Sequence, residues 1–194
     1  MPPATVKNVR DLLFWQYAKI IAVSAGFCKD DYGFVTKKLK QLRTGEIEWN
    51  EIREYIKEKD LNGECIYCGA KTGLTLEHLL PRCFNGPNSE KNVVWVCRTC
   101  NSKKGSKRLY EYWVIQRGLK KGKNEVPRIA EGKYLKFAYE VLEEQNLLDM
   151  DIKQVTAKIC PKCDLKNLCV QEKTEGKLSV LCIDGLLTLC CKED

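Results

Sequence analysis

The chain has 194 residues, a formal net charge of +7, 44% apolar and 30% charged residues. This is the balance of a globular protein with a hydrated surface and enough apolar mass for a core. No apolar run reaches the roughly 18 residues that a membrane span requires: the best candidate, LLFWQYAKIIAVSAGF, is broken by Gln16 and Lys19. Pro2, Pro3, Lys7, Arg10 and Asp11 do not fit a secretory leader, so a cytoplasmic location is expected.

In chain order, Asn8 is placed to cap a helix running to about Gly26, with Leu12, Leu13, Phe14, Tyr17, Ile20 and Ile21 at helical spacing. A second helix fits YGFVTKKLKQLRTG, and a third fits EIREYIKEKD after Asn50. Residues 1–62 thus read as a helical N-terminal region. The pattern then changes. GECIYCGAKTGLTLEH is a Gly-flanked Cys-x-x-Cys turn leading into a short alternating strand, and NVVWVC is a second strand. RTCNSKKG opens a short helix, closing a unit over 63–110. SKRLYEYWVIQRG and a long helix with Pro127 in its first turn make a basic helical region to residue 150. Residues 151–194 form a Cys-rich tail in which LSVLCIDG reads as strand-like.

Twelve cysteines in a chain expected to be intracellular point to metal rather than disulfides. Two residues between thiols let one turn aim both sulfurs at a tetrahedral ion. Cys65/Cys68 and Cys97/Cys100 are two such pairs, 28 residues apart. Together they make a closed four-thiolate site, the structural form of bound zinc, with no position left for water. In the tail, Cys160, Cys163 and Cys169, with Cys182 farther on, suit a second centre. Zinc and a 4Fe-4S cluster both remain open there, since each takes thiolates. Cys190 and Cys191 rank below Cys182, and Cys28 and Cys83 read as inert thiols.

The positive charge is local. Residues 101–136 hold eleven Lys and Arg against three acids, and the rest of the chain is close to balanced. Clustered charge of this kind suits a polyanion, although a solvated helical face is the plainer reading of a charge run alone. The stretch between the inner cysteine pairs carries His78, the one histidine of the chain. Metal fixes both ends of that stretch, so Glu77, His78 and Asn101 are expected to face one another as a hydrolytic set. A neutral imidazole can take a proton from water. Glu77 and Asn101 offer hard oxygens suited to Mg²⁺ or Mn²⁺, and Lys103, Lys104, Lys107 and Arg108 stand nearby for phosphates. A lone histidine is otherwise a structural residue, Asn92 a turn residue, and Arg82 either a phosphate contact or plain surface.

CIYCG, EHLLPR, NVVWVC and RTCNSKKG, read in that order, resemble the HNH (ββα-metal) nuclease family over about residues 64–107. DLLFWQYAKIIA and PRIAEGKYLKFAYE also look like archaeal members. The resemblance implies an α+β, mainly helical chain with a zinc-stabilised ββα-metal core, helical flanks and a small metal-binding tail. It also implies DNA phosphodiester hydrolysis leaving 5′-phosphate and 3′-hydroxyl ends. By the same resemblance His78 is the general base, Glu77 and Asn101 hold the catalytic divalent ion, and Asn92 braces the loop and orients His78. Glu and Asn stand where the family more often has Asp and His. The competing readings are a non-catalytic, zinc-dependent nucleic-acid-binding protein and a redox or metal sensor working through the tail.

Overall fold

A computed structural model describes residues 3–48, 63–119 and 125–190; the helix expected over EIREYIKEKD lies outside them. Helix α1 spans Val9–Ser24. The Asn8 side chain accepts the Asp11 amide at 2.9 Å, satisfying one of the amides a helix start leaves unpaired. Gly26, at φ +87°, follows the last turn. Helix α2, Tyr32–Arg43, begins on Asp31, whose side chain accepts the Phe34 amide at 3.0 Å. The two helices pack together.

Strands β1 (Leu74–His78) and β2 (Val93–Cys97) form an antiparallel hairpin, with Leu74 opposite Cys97 and His78 opposite Val93. Helix α3 (Arg98–Lys104) leaves β2 without a linker and stops at Gly105, whose φ of +54° favours glycine. It lies on both strands. Helices α4 (Leu109–Leu119) and α5 (Arg128–Glu144) follow, and Pro127 sits immediately before the first residue of α5.

In the tail, α6 (Ile152–Lys158) starts with a reciprocal capping box between Asp151 and Gln154. A 3₁₀ turn at Cys160–Lys162 and α7 (Lys166–Gln171) come next. The strand expected at LSVLCIDG is instead the start of helix α8, Val180–Cys190. The apolar stretch there continues past Gly185 through Leu186, Leu187 and Leu189. Short apolar runs do not separate a buried strand from a buried helix by periodicity; here the length of the run decides.

Helix α8 packs against α1, α4 and α5. Trp15, Tyr17, Tyr134, Leu135, Ile183 and Leu187 are fully enclosed in that core. Asp184 is buried within it, accepting the Glu111 amide at 2.7 Å and the Tyr134 hydroxyl at 2.8 Å, and burial pushes its carboxyl up to about 7. The start of α4, and with it the end of the hairpin unit, is therefore tied to the tail helix. The chain is mainly helical with a small two-stranded sheet, as the sequence leads one to expect.

Candidate active site and metal knuckle

The Cys65–Cys68 turn meets the Cys97–Cys100 turn across the mouth of the hairpin. All four sulfurs lie within 4.8 Å of one another, and Cys68 and Cys97 are 3.7 Å apart. Zinc–sulfur bonds of about 2.3 Å in a tetrahedron separate the sulfurs by about 3.8 Å, so the donor set fits a structural metal such as zinc. Left without a cation, four adjacent thiols do not ionise alike. The Cys100 amide and the neighbouring thiols pull Cys97 down to about 7, whereas burial and the same neighbours push Cys100 far up.

Successive residues of a strand face opposite sides. Glu77 therefore turns inward, between the hairpin and α3, where its carboxylate meets Lys104 Nζ at 2.5 Å and accepts the Tyr67 hydroxyl at 3.0 Å. Lys104 also donates to the His78 carbonyl at 2.8 Å. Both side chains are closed to solvent, Glu77 at 3% and Lys104 at 0% exposure. Burial raises the acid and lowers the amine, and each opposes the other's shift. This corrects two expectations. Lys104 is a buried ion-pair partner and not a phosphate contact. Glu77 does not offer a free carboxylate, because a resident ammonium already sits on it. Asn101 reaches β1 at a backbone atom, its amide donating to the Leu76 carbonyl at 3.4 Å. As arranged, the Glu77 and Asn101 pair does not fit a second, divalent ion.

His78 ends β1. Its side chain is half-buried, its Nε2 is shut off from solvent with no partner among the described residues, and Asn88 hydrogen-bonds the imidazole. Burial is the largest influence on its basicity and lowers it; Asn88 opposes this, while Arg82 and Lys104 lower it further. The imidazole is thus neutral at neutral pH. Arg82 itself is exposed, which leaves its guanidinium available beside the imidazole.

The loop after His78 is clamped by Asn92, which is fully buried. Its side-chain Oδ1 accepts the Leu80 amide at 2.8 Å, and its Nδ2 donates to the Leu80 and Pro87 carbonyls at 2.9 and 3.0 Å. Gly86 is required in that loop, since a Cβ there would stand 1.9 Å from the Leu80 carbonyl oxygen. Asn92 braces the backbone, then, and Asn88 is the residue that touches the imidazole. A sequence reading has no signal for Asn88 beyond its place after Gly86-Pro87.

Of the expected phosphate contacts, Arg82 and Lys103 are exposed and Lys107 is half-exposed. Arg108 is not available. It is 2% exposed, paired with Glu111 at 2.9 Å and Asp164 at 2.8 Å, and its guanidinium lies over the Phe84 ring at 4.6 Å. A charge run on the page reads as surface, but here the tail folds over its end.

A hairpin and a helix stapled by a four-thiol knuckle, with a histidine at the end of the first strand, define a ββα unit. Residues 65–110 match the family described as HNH endonuclease. No curated protein and no solved structure matches the chain. The HNH domain implies a nuclease-type function and a nucleic-acid substrate. Among the described residues, no helix is long and apolar enough to cross a membrane.

Proposed function

We propose that this protein is an endonuclease that hydrolyses DNA phosphodiester bonds, with the unit at 63–110 as the catalytic core. The N-terminal region 1–62, the basic region 111–150 and the tail 151–194 flank that core. The observation that carries the reading is the setting of His78: a neutral imidazole at the hairpin end, held by Asn88, with the exposed Arg82 close enough to act on it.

His78 takes a proton from water, and the resulting hydroxide attacks phosphorus. The 3′-oxygen leaves and takes a proton from solvent water, and His78 returns its own proton to solvent, giving 5′-phosphate and 3′-hydroxyl ends. Arg82, Lys103 and Lys107 supply positive charge for the backbone phosphates. The helix that bears Lys103 is fixed to the strand that ends in His78 by the Lys104–Glu77 pair, so base and cations keep one spacing. Members of this family generally use a divalent ion; in this chain Lys104 occupies the Glu77 carboxylate that would hold it.

The test is incubation of supercoiled plasmid with the full chain in Mg²⁺ or Mn²⁺, beside His78→Ala. The intact protein is expected to nick or linearise the plasmid. The variant is expected to do so about 10²–10⁴-fold more slowly, with zinc content and DNA affinity near normal. A fully active His78→Ala would refute the catalytic assignment.

One observation favours a second reading, a zinc-dependent nucleic-acid-binding module. Nε2 is closed to solvent, and the Glu77 carboxylate is already paired. Under that reading both proteins bind DNA alike and neither cuts it in either metal.

A further inference from the structure

We propose that Cys160, Cys163, Cys169 and Cys182 hold a second metal centre, distinct from the knuckle of the nuclease core. The inference does not depend on the nuclease reading.

The tail turn repeats a local device of the core site. In the core, the sulfur of Cys68 accepts the backbone amide of Ala70, two residues on. In the tail, the sulfur of Cys163, again the second thiol of a Cys-x-x-Cys, accepts the amide of Leu165, two residues on. The Cys163 amide closes the turn on the Cys160 carbonyl at 3.3 Å. Cys182 has a backbone donor too, the Ser179 amide at 3.4 Å. The two turns thus share one backbone geometry, with an amide two residues beyond the second thiol aimed back at its sulfur.

Helix α8 brings the fourth sulfur to this turn. A Cβ on Gly185 would stand 2.9 Å from the Cys163 sulfur, so the turn rests directly on α8 where the side chain is missing. Cys182 lies three residues before Gly185, on the same face of the helix. The turn that carries Cys160 and Cys163 thus meets the face of α8 that carries Cys182, and Cys169 lies on α7, the helix that follows the turn.

The ligand is a thiophilic metal, since thiolates alone select zinc or an iron–sulfur cluster. Among the described residues, only the core four are gathered tightly enough for a single ion. The wider spread of the tail four suits separate irons of a cluster.

The centre has a mechanical consequence. Asp164 follows Cys163 and holds Arg108 through both carboxylate oxygens, at 2.8 and 3.1 Å. Arg108 lies over Phe84, two residues after Arg82 in the loop beyond His78. Metal in the tail turn thus steadies the loop that carries Arg82.

The test is metal and inorganic sulfide analysis of the full chain purified without oxygen, with iodoacetamide labelling mapped by mass spectrometry. The expected result is more than one metal per chain, with Cys160, Cys163, Cys169 and Cys182 unlabelled until metal is stripped. The exposed thiols Cys28 and Cys83 react at once and serve as the reference. Iron with matching sulfide identifies the cluster that the wider spacing suits, and a second zinc shows that the four thiols close on a single ion when metal enters; either supports the centre. Cys163→Ser should lose this metal and keep that of the core. A single metal per chain, tail thiols that label alongside Cys28 and Cys83, or a Cys163→Ser chain with unchanged metal content would overturn the proposal. Should that variant fail to fold, the labelling of the natural chain decides alone.

Discussion

Glu77 and Lys104 form an ion pair sealed between the hairpin and α3, with 2.5 Å from carboxylate to ammonium and almost no solvent exposure on either side. A buried pair of this kind adds little net stability over an apolar replacement, but breaking it strands a charge. Lys104→Met is therefore expected to cost about 3–5 kcal/mol in denaturant unfolding, and Glu77→Leu with Lys104→Met to recover most of that loss. A single Lys104→Met chain within about 0.5 kcal/mol of the natural one would mean that the pair is open to water in solution.

The same pair marks where sequence reading stops. Spacing within a few residues is local physics, so the core cysteine pairs, the cap at Asn8 and the hairpin-then-helix order are legible. Which lysine of Lys103-Lys104 turns inward depends on the helix phase against β1, a tertiary fact. Arg108 reads as part of a basic run, but the tail that covers it lies more than fifty residues on. LSVLCIDG, at the start of α8, reads as strand-like because a short apolar run carries no period. Asn88 was missed because its contact is across a loop rather than along an element.

The environment of His78 sets a pH dependence. General-base action needs neutral imidazole, and burial, then Arg82 and Lys104, hold the group below its ordinary value. Activity should rise with pH through a limb below about 6.5 and be level at neutrality. Arg82→Ala removes a positive neighbour, so the imidazole becomes more basic and the limb moves to higher pH. Asn88→Ala removes a bond that favours the protonated form, so the limb moves to lower pH. Profiles of kcat/KM for the three proteins test this, and an Arg82→Ala limb displaced downward would contradict the arrangement.

Burial also divides the basic residues into two groups. Arg82, Lys103 and Lys107 can reach phosphate, and replacing each by Ala should lower the slope of log K against log salt by about 0.9 on duplex DNA. Arg108→Ala should leave the slope unchanged and lower stability instead, since it frees Asp164 and Glu111 from their partner. A reduced slope for Arg108→Ala would place that side chain on the DNA face after all.

The knuckle is predicted to hold its unit and not the whole chain. The hairpin has two strands of five residues, and its outer face shows Leu76 and Trp95 to solvent. Only one face packs, so the sheet has little apolar burial to set against its ordering cost. Apparent zinc-binding free energies in small modules are about 10–16 kcal/mol, and they appear directly as folding energy. Helices α1, α5 and α8 pack on one another as well as on the inner face of the hairpin, so their burial does not rest on the knuckle alone. Cys97→Ser, which leaves the tail thiols intact, should therefore lose core zinc and amide-exchange protection over 65–104 while keeping protection in α1 and α5. Hydrogen exchange read by mass spectrometry resolves the two regions. Unchanged protection of the hairpin would show that metal is not what folds it, and loss spread evenly over the chain would show that the knuckle and the helical core fold as one.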